Sequence, residues 1–256
     1  MKKFGIGLVQ YSPVWEKPEA SIELIDKMIE QTNLTDISLL VFPEMSLTGF
    51  TMHSEDFVEE LDGVSFLYFM QLAKKLRKHI FAGIIERDEK TVYNSLIHFD
   101  DRGLIRMRYR KIHPFSYTRE EKYFRPGNEP CITHIDKISF GLSICYDLRF
   151  PELYRLYAKE RADVLIDIAN WPDDRLFHWD ILTQARAIEN QSYMVAVNRT
   201  GNDPFLKYSG HSTVVSPFGK VLVQSQKDEI VTIEIDIDEV TELRNKLPFL
   251  NDIKLL

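Results

Sequence analysis

Ile138-Ser139-Phe140-Gly141-Leu142-Ser143-Ile144-Cys145 runs directly into Tyr146-Asp147-Leu148-Arg149-Phe150-Pro151-Glu152. The first eight residues form a short apolar, β-branched run bounded by polar residues, which reads as a buried strand. Pro151 suits the first turn of a helix continuing through Leu153 and Tyr154, because it has no N–H to leave unpaired there. The stretch therefore predicts a strand, a turn carrying Cys145, and a helix. Backbone N–H groups at such a turn carry partial positive charge, which predicts a lowered thiol pKa and donors for an anionic oxygen. Cys145 also reads as a packed, inert thiol, since free cysteine is among the most buried residue types.

Outward from this turn, strands alternate with amphipathic helices. Downstream the order is a helix, the buried strand 162–170 (ADVLIDIAN), a helix around 180–191, the strand 193–199, a hairpin turning at Pro217-Phe218-Gly219, and the alternating strand 229–236. Upstream, 4–12 (FGIGLVQYS) reads as a strand and 18–31 as a helix with Ile22, Ile25, Met28 and Ile29 on one face. A second helix is predicted over 66–79, followed by three strands (80–86, 92–99, 104–110) whose short turns suggest a meander. Strands with helices on their outer faces define an α/β fold.

Composition agrees with an enzyme of one domain spanning 1–256: the chain is long enough for a substantial core, and no linker, repeat or low-complexity tract divides it. A net charge of −7 argues against general nucleic-acid affinity, which needs a positive field to displace counterions. The apolar opening is too short for a signal segment and no later run reaches membrane-spanning length, so a cytoplasmic protein with no membrane partner is expected. In that reducing compartment Cys131 and Cys145, the two cysteines, are expected to stay unpaired.

Two further side chains qualify as partners for the thiol. Glu44 closes the apolar run 37–44 (ISLLVFPE), and its neighbours Phe42, Pro43 and Met45 give it apolar surroundings that favour a proton acceptor. Lys111 sits in Arg108-Tyr109-Arg110-Lys111-Ile112-His113-Pro114-Phe115, where it leads into an apolar stretch and turns inward, while Arg108 and Arg110 read as a solvated face.

VFPEMSLTGF (41–50), YRKIHPF and GLSICYDLRFPELYR resemble the three signature blocks of the nitrilase superfamily of carbon–nitrogen hydrolases, in the family's order Glu, Lys, Cys. The likeness continues through 168–179, 185–201 and 208–220, blocks most similar to the bacterial ω-amidase branch. It implies an α-β-β-α sandwich of two mixed sheets, commonly dimerised through helices near the nucleophile. It also implies a small-molecule amide substrate, such as a short 2-oxo acid amide, and chemistry needing neither cofactor nor metal. Glu44 would be the general base, Cys145 the nucleophile, and Lys111 with the Tyr146 backbone N–H the oxyanion donors. Glu120 matches the family's second glutamate, with Glu121 its alternative. For a substrate carboxylate Arg175 is the candidate, with Trp171 as pocket wall, although Arg175 could equally pair with Asp173 or Asp174. Arg149 is expected to pair with Glu152, three residues on.

Other chemistries find less support. A papain-like site would need His113, His178 or His211 as base, and nothing in the spacing selects one. The seven histidines show no metal-ligand grouping. Tyr146-Asp147 after the cysteine, where true nitrilases usually carry Trp-Glu, favours amides over nitriles. Relatives acting on N-carbamoyl amines or deaminated glutathione keep the same trio, as a silent binding protein has no need to.

Overall fold

Alternation along the strands fixes the layering of the chain, which the computed structural model describes for residues 3–255. In one sheet, β1 (Lys3–Gln10), β2 (Leu39–Val41) and β3 (His79–Asp88) are parallel neighbours. β3, β4 (Thr91–Phe99) and β5 (Ile105–Arg110) then form the predicted antiparallel meander. In the second sheet, β6 (Ile132–Ile135) pairs antiparallel with β7 (Ile138–Ile144), which runs parallel to β8 (Val164–Ala169) and β9 (Tyr193–Asn198). β10 (Thr200–Asn202) and β11 (Lys207–Ser209) form a separate ribbon. β12 (Ser212–Val215) and β13 (Val221–Ser225) complete the second sheet, and β14 (Glu229–Asp236) returns to pair with β1.

Leu39, Val41 and Phe81 belong to one buried layer with Phe140, Leu142 and Ile144 of the other sheet. The intervening residues Leu40, Ile80 and Ala82 pack instead with Ile25 of α1 (Pro18–Gln31), beyond which a short α2 (Ser54–Phe57) precedes α3 (Val64–Leu76), whose Phe66 and Phe69 join them. Period-two alternation thus serves two interfaces at once. On the far side, α4 (Pro151–Lys159) and α5 (Leu176–Asn190) cover the second sheet, while α6 (Asp238–Lys246) follows β14. Gly141 lets α4 approach, since a Cβ there would stand 2.6 Å from the Tyr157 ring. The result is an α/β fold, an α-β-β-α sandwich of two mixed sheets.

α1 and β14 have the bounds read from the sequence. α3 ends at Leu76, three residues early, because Arg77 turns left-handed with φ 52° and stops the helix. The strand assigned to 37–44 is confined to Leu39–Val41, so Glu44 lies in the turn beyond it. Among the described residues no helix is long and apolar enough to cross a membrane.

Candidate active site

β7 delivers Cys145 to the end of the second sheet, where it begins a tight helical turn, Cys145–Arg149, ahead of α4. Cys145 has φ 52°, a left-handed conformation that costs a non-glycine residue about 1–3 kcal/mol and persists only where neighbours enforce it. Two buried carboxylates do so. Asp147 Oδ2 accepts the Ile144 N–H at 3.0 Å, and Asp167 Oδ1 accepts the Cys145 N–H at 2.9 Å. Asp147 is itself held by the Tyr109 hydroxyl and by both the backbone N–H and Nδ1 of His113. Asp167 is bound by Ser143 and Tyr154, and burial raises its pKa well above the carboxylate range. Tyr146 occupies the first turn of this short helix, where N–H groups have no acceptor within the helix.

Glu44, Lys111 and Glu120 converge from three loops. Lys111 Nζ lies 2.8 Å from Glu44 Oε1 and 2.9 Å from Glu120 Oε2, and all three side chains are at most 2% exposed. Asn94 of β4 bridges the carboxylates, its Nδ2 donating to Glu44 Oε1 at 2.7 Å and Glu120 Oε1 at 2.9 Å. Burial acts to lower the Lys111 pKa, but the charges of Glu120 and Glu44 outweigh it and hold the ammonium firmly protonated. Burial raises the Glu120 carboxyl, with Lys111 pulling the other way. Glu120 also accepts the Phe115 N–H at 2.6 Å, whereas Glu121 is exposed. Glu120 is therefore the glutamate beside the lysine.

Lys111, Cys145 and Tyr146 line one open cleft. Its apolar wall is Trp171 with Phe50, Phe115 and Leu206, and it also presents Arg149 and Arg175 but no carboxylate side chain. The thiol differs from its expected state. Burial, reinforced by the Glu44 charge, pushes the Cys145 pKa well above that of an ordinary thiol, and Lys111 offsets this only in part. A short turn in a desolvated setting does not compensate for lost hydration of the thiolate.

Arg149 departs from expectation as well. It is not paired with Glu152: its guanidinium lies 4.6 Å over the Trp171 ring and contacts His178 Nδ1 at 3.3 Å. Phe150, extended at φ −107° and ψ 93°, separates the Cys145–Arg149 turn from α4, so Arg149 and Glu152 do not share a helical face. Arg175 does contact Asp174, at 3.0 Å, yet also lies 5.5 Å over Phe115 in the cleft wall. Its carbonyl accepts the Trp171 indole N–H at 2.7 Å. Asn198 clamps Trp171 from behind, receiving its N–H and donating to its carbonyl, while Arg199 is buried beneath. The histidines considered as bases are engaged elsewhere: His113 with Asp147, His178 with Arg149, His211 with Asp180. Cys131 and Cys145 are both free.

Sequence reasoning missed Asn94 and Asn170. Each is a polar residue within or at the end of an apolar strand, the one signal available for them.

Residues 5–245 match the carbon–nitrogen hydrolase family. The chain is 36% identical to the 2-oxoglutaramate amidase of Bacillus subtilis (strain 168), with 98% of each chain covered. It is 34% identical to the 2-oxoglutaramate amidase of Paenarthrobacter nicotinovorans, covering 91% of this chain and 83% of the relative. The solved structure of XC1258 from Xanthomonas campestris, a CN-hydrolase superfamily protein with an arsenic adduct in its active site, superposes with a TM-score of 0.93 at 28% identity, covering 100% of this chain and 99% of that one. With this extent of likeness added to its two-sheet sandwich and to a cleft lined by a thiol and an ammonium, the ammonium held by two carboxylates buried behind it, the chain belongs to the carbon–nitrogen hydrolase family, enzymes that hydrolyse amide carbon–nitrogen bonds.

Proposed function

We propose that the protein is an ω-amidase, hydrolysing the side-chain amide of short 2-oxo acids such as 2-oxoglutaramate and 2-oxosuccinamate to the dicarboxylate and ammonia. One observation carries the substrate class: the cleft around Cys145 presents two guanidiniums, Arg149 and Arg175, and no acidic side chain. A substrate with a carboxylate at one end and an amide at the other spans from this cationic wall to the thiol. The 2-oxoglutaramate amidases among its relatives support the same reading.

In this mechanism the thiol is protonated in the free enzyme, in keeping with its raised pKa. Glu44 takes the proton as sulfur attacks the amide carbon, so the thiolate forms only with substrate in place. Lys111 and the Tyr146 backbone N–H stabilise the oxyanion, and Glu120 keeps Lys111 charged and oriented. Glu44 returns the proton to the departing ammonia, then activates the water that hydrolyses the thioester. Arg175 binds the substrate carboxylate, with Arg149 beside it and Trp171 as the wall. The chain acts as one catalytic domain, in the cytoplasm, as a homodimer.

Ammonia release from the two oxo-amides, beside glutamine, a simple nitrile and an N-carbamoyl amine, tests the reading in wild type and Cys145→Ala. Release from the oxo-amides alone, lost in the variant, is expected. Turnover of another amide and of neither oxo-amide would refute the substrate and keep the thioester chemistry.

A further inference from the structure

Asn170 follows β8 and stands between base and nucleophile. Its backbone N–H donates to Glu44 Oε2 at 3.0 Å, and its Nδ2 donates to the Glu44 main-chain oxygen at 2.7 Å and to Oε2 at 3.3 Å. Its own main-chain oxygen is 3.9 Å from Cys145 Sγ. Because both Nδ2 partners are acceptors, the orientation of the planar amide is fixed, and Oδ1 is the arm turned from Glu44. That oxygen is buried and has no hydrogen-bond partner, in a residue that lines the cleft beside Cys145. Asn94 Oδ1 is similarly unpartnered, but Asn94 is not among the residues lining the cleft.

Resting on the roles proposed above for Glu44, Lys111 and Cys145, we propose that Asn170 Oδ1 accepts a hydrogen bond from the nitrogen of the scissile carboxamide, and so selects primary amides over esters of the same acid. Lys111 and the Tyr146 N–H hold the carbonyl oxygen on one side of the attacked carbon. The nitrogen then lies on the Glu44 side, near Asn170. In acylation the Cys145 proton passes to Glu44, the sulfur pair forms the S–C bond, and the carbonyl π pair moves to oxygen. When the oxyanion collapses, the C–N bond breaks and its pair takes the proton back from Glu44, releasing ammonia. For that transfer the nitrogen lone pair must face Glu44, which turns its N–H bonds elsewhere. An N–H buried without an acceptor is costly, and Oδ1 is an acceptor without a donor. The leaving oxygen of an ester has no N–H and gains nothing from it.

The test is the ratio of kcat/KM for a primary amide to that for the methyl ester of the same acyl group, in wild type, Asn170→Ala and Asn170→Asp. Loss of support for Glu44 also lowers the ratio, because the departing nitrogen needs a proton from Glu44 more than an alcohol does. Asn170→Asp, which loses the Nδ2 bonds to Glu44 but keeps an oxygen, reads that part alone, and an equal fall in both variants would overturn the proposal. Asn170→Ala is expected to lower the ratio about 10- to 100-fold, the cost of one unsatisfied buried N–H. Asn170→Asp keeps an oxygen in place and is expected to hold the ratio within about threefold, even as both rates fall. An unchanged ratio in Asn170→Ala would overturn it too. If circular dichroism shows Asn170→Ala unfolded, Asn170→Ser, whose hydroxyl is too short to replace Oδ1, takes its place. If wild type hydrolyses other primary amides but neither oxo-amide, the substrate assignment fails and the ratio is read on those amides.

Discussion

Lys111 Nζ stands 2.8 Å from Glu44 Oε1, a cation on a carboxylate with neither side chain appreciably exposed. Glu120 adds a second carboxylate at 2.9 Å, so the cluster holds one positive and two negative charges away from water. Such a group survives because Asn94, Asn170 and the Phe115 N–H also donate to the carboxylates. Lys111→Met would leave two buried carboxylates facing each other. Removing one member of a buried ion pair costs about 3–5 kcal/mol, and the cost here should be larger at pH 8 than at pH 5, where one carboxyl takes up a proton. Urea unfolding at the two pH values checks this. An equal loss at both would mean that the carboxylates are not coupled through the lysine.

The raised pKa of Cys145 separates two ways of preparing a nucleophile. A thiolate standing ready at neutral pH would react with iodoacetamide faster than an ordinary cysteine. A thiol kept protonated by burial and by Glu44 should react more slowly at pH 7, with a rate still climbing above pH 9. In Glu44→Gln the neighbouring negative charge is gone, so the alkylation profile should move to lower pH while amide turnover falls by about a thousandfold or more, the general base being lost. Alkylation followed by mass spectrometry across pH 6–10 reads both proteins, and a wild-type plateau below pH 8 would contradict the mechanism.

The parts legible in the sequence are those that contiguous patterning encodes. β7, β8 and β9 are predominantly apolar runs, and α1 begins at Pro18 and carries a regular stripe, so their identity was fixed locally. The three motifs marked Glu44, Lys111 and Cys145, and the position of Glu120 could be read to within one residue. What the sequence hid depends on distant contacts. Arg77 ends α3 in a conformation that arginine does not advertise. Arg149 obeys a ring and a histidine from other elements rather than the i,i+3 rule. The state of the thiol depends on how deeply two sheets bury it. Asn94 lies inside a strand whose apolar neighbours mask it, although an amide in such a run is costly unless bonded.

Gly83 shows how the first sheet holds the base. A Cβ there would stand 2.4 Å from the Met45 nitrogen and 2.7 Å from the Glu44 Cα, contacts with backbone that no rotamer change relieves. The Ser46 N–H also donates to the Gly83 carbonyl at 2.8 Å, tying the turn to β3. Gly83→Ala should therefore displace Glu44 relative to Cys145. We expect a loss of about 1–3 kcal/mol in stability from overpacking, with kcat reduced far more than KM is changed. If kcat survives while stability falls, the turn moves without carrying Glu44 out of position.

Acid sensitivity should arise away from the cleft, where the two sheets meet. His98 of β4 is fully buried, with His79 Nδ1 2.9 Å from its Nε2 and Thr133 Oγ1 of β6 2.7 Å from its Nδ1. Burial, aided by neighbouring His79, lowers its pKa from 6.5 to about 3, with Asp100 opposing and Arg106 assisting. The folded protein keeps this ring neutral, whereas the unfolded chain protonates it below about pH 6.5. The unfolded state then binds more protons, so stability is fully present above pH 6.5 and falls as pH drops towards 3. At pH 5 the loss from this group should be about 2 kcal/mol, from 1.36 kcal/mol per unit. Comparing urea unfolding of wild type and His98→Gln at pH 7.5 and pH 5 isolates it. The variant is expected to be less stable at pH 7.5 but to lose less between the two pH values. Equal losses would assign the acid sensitivity to the buried carboxylates instead.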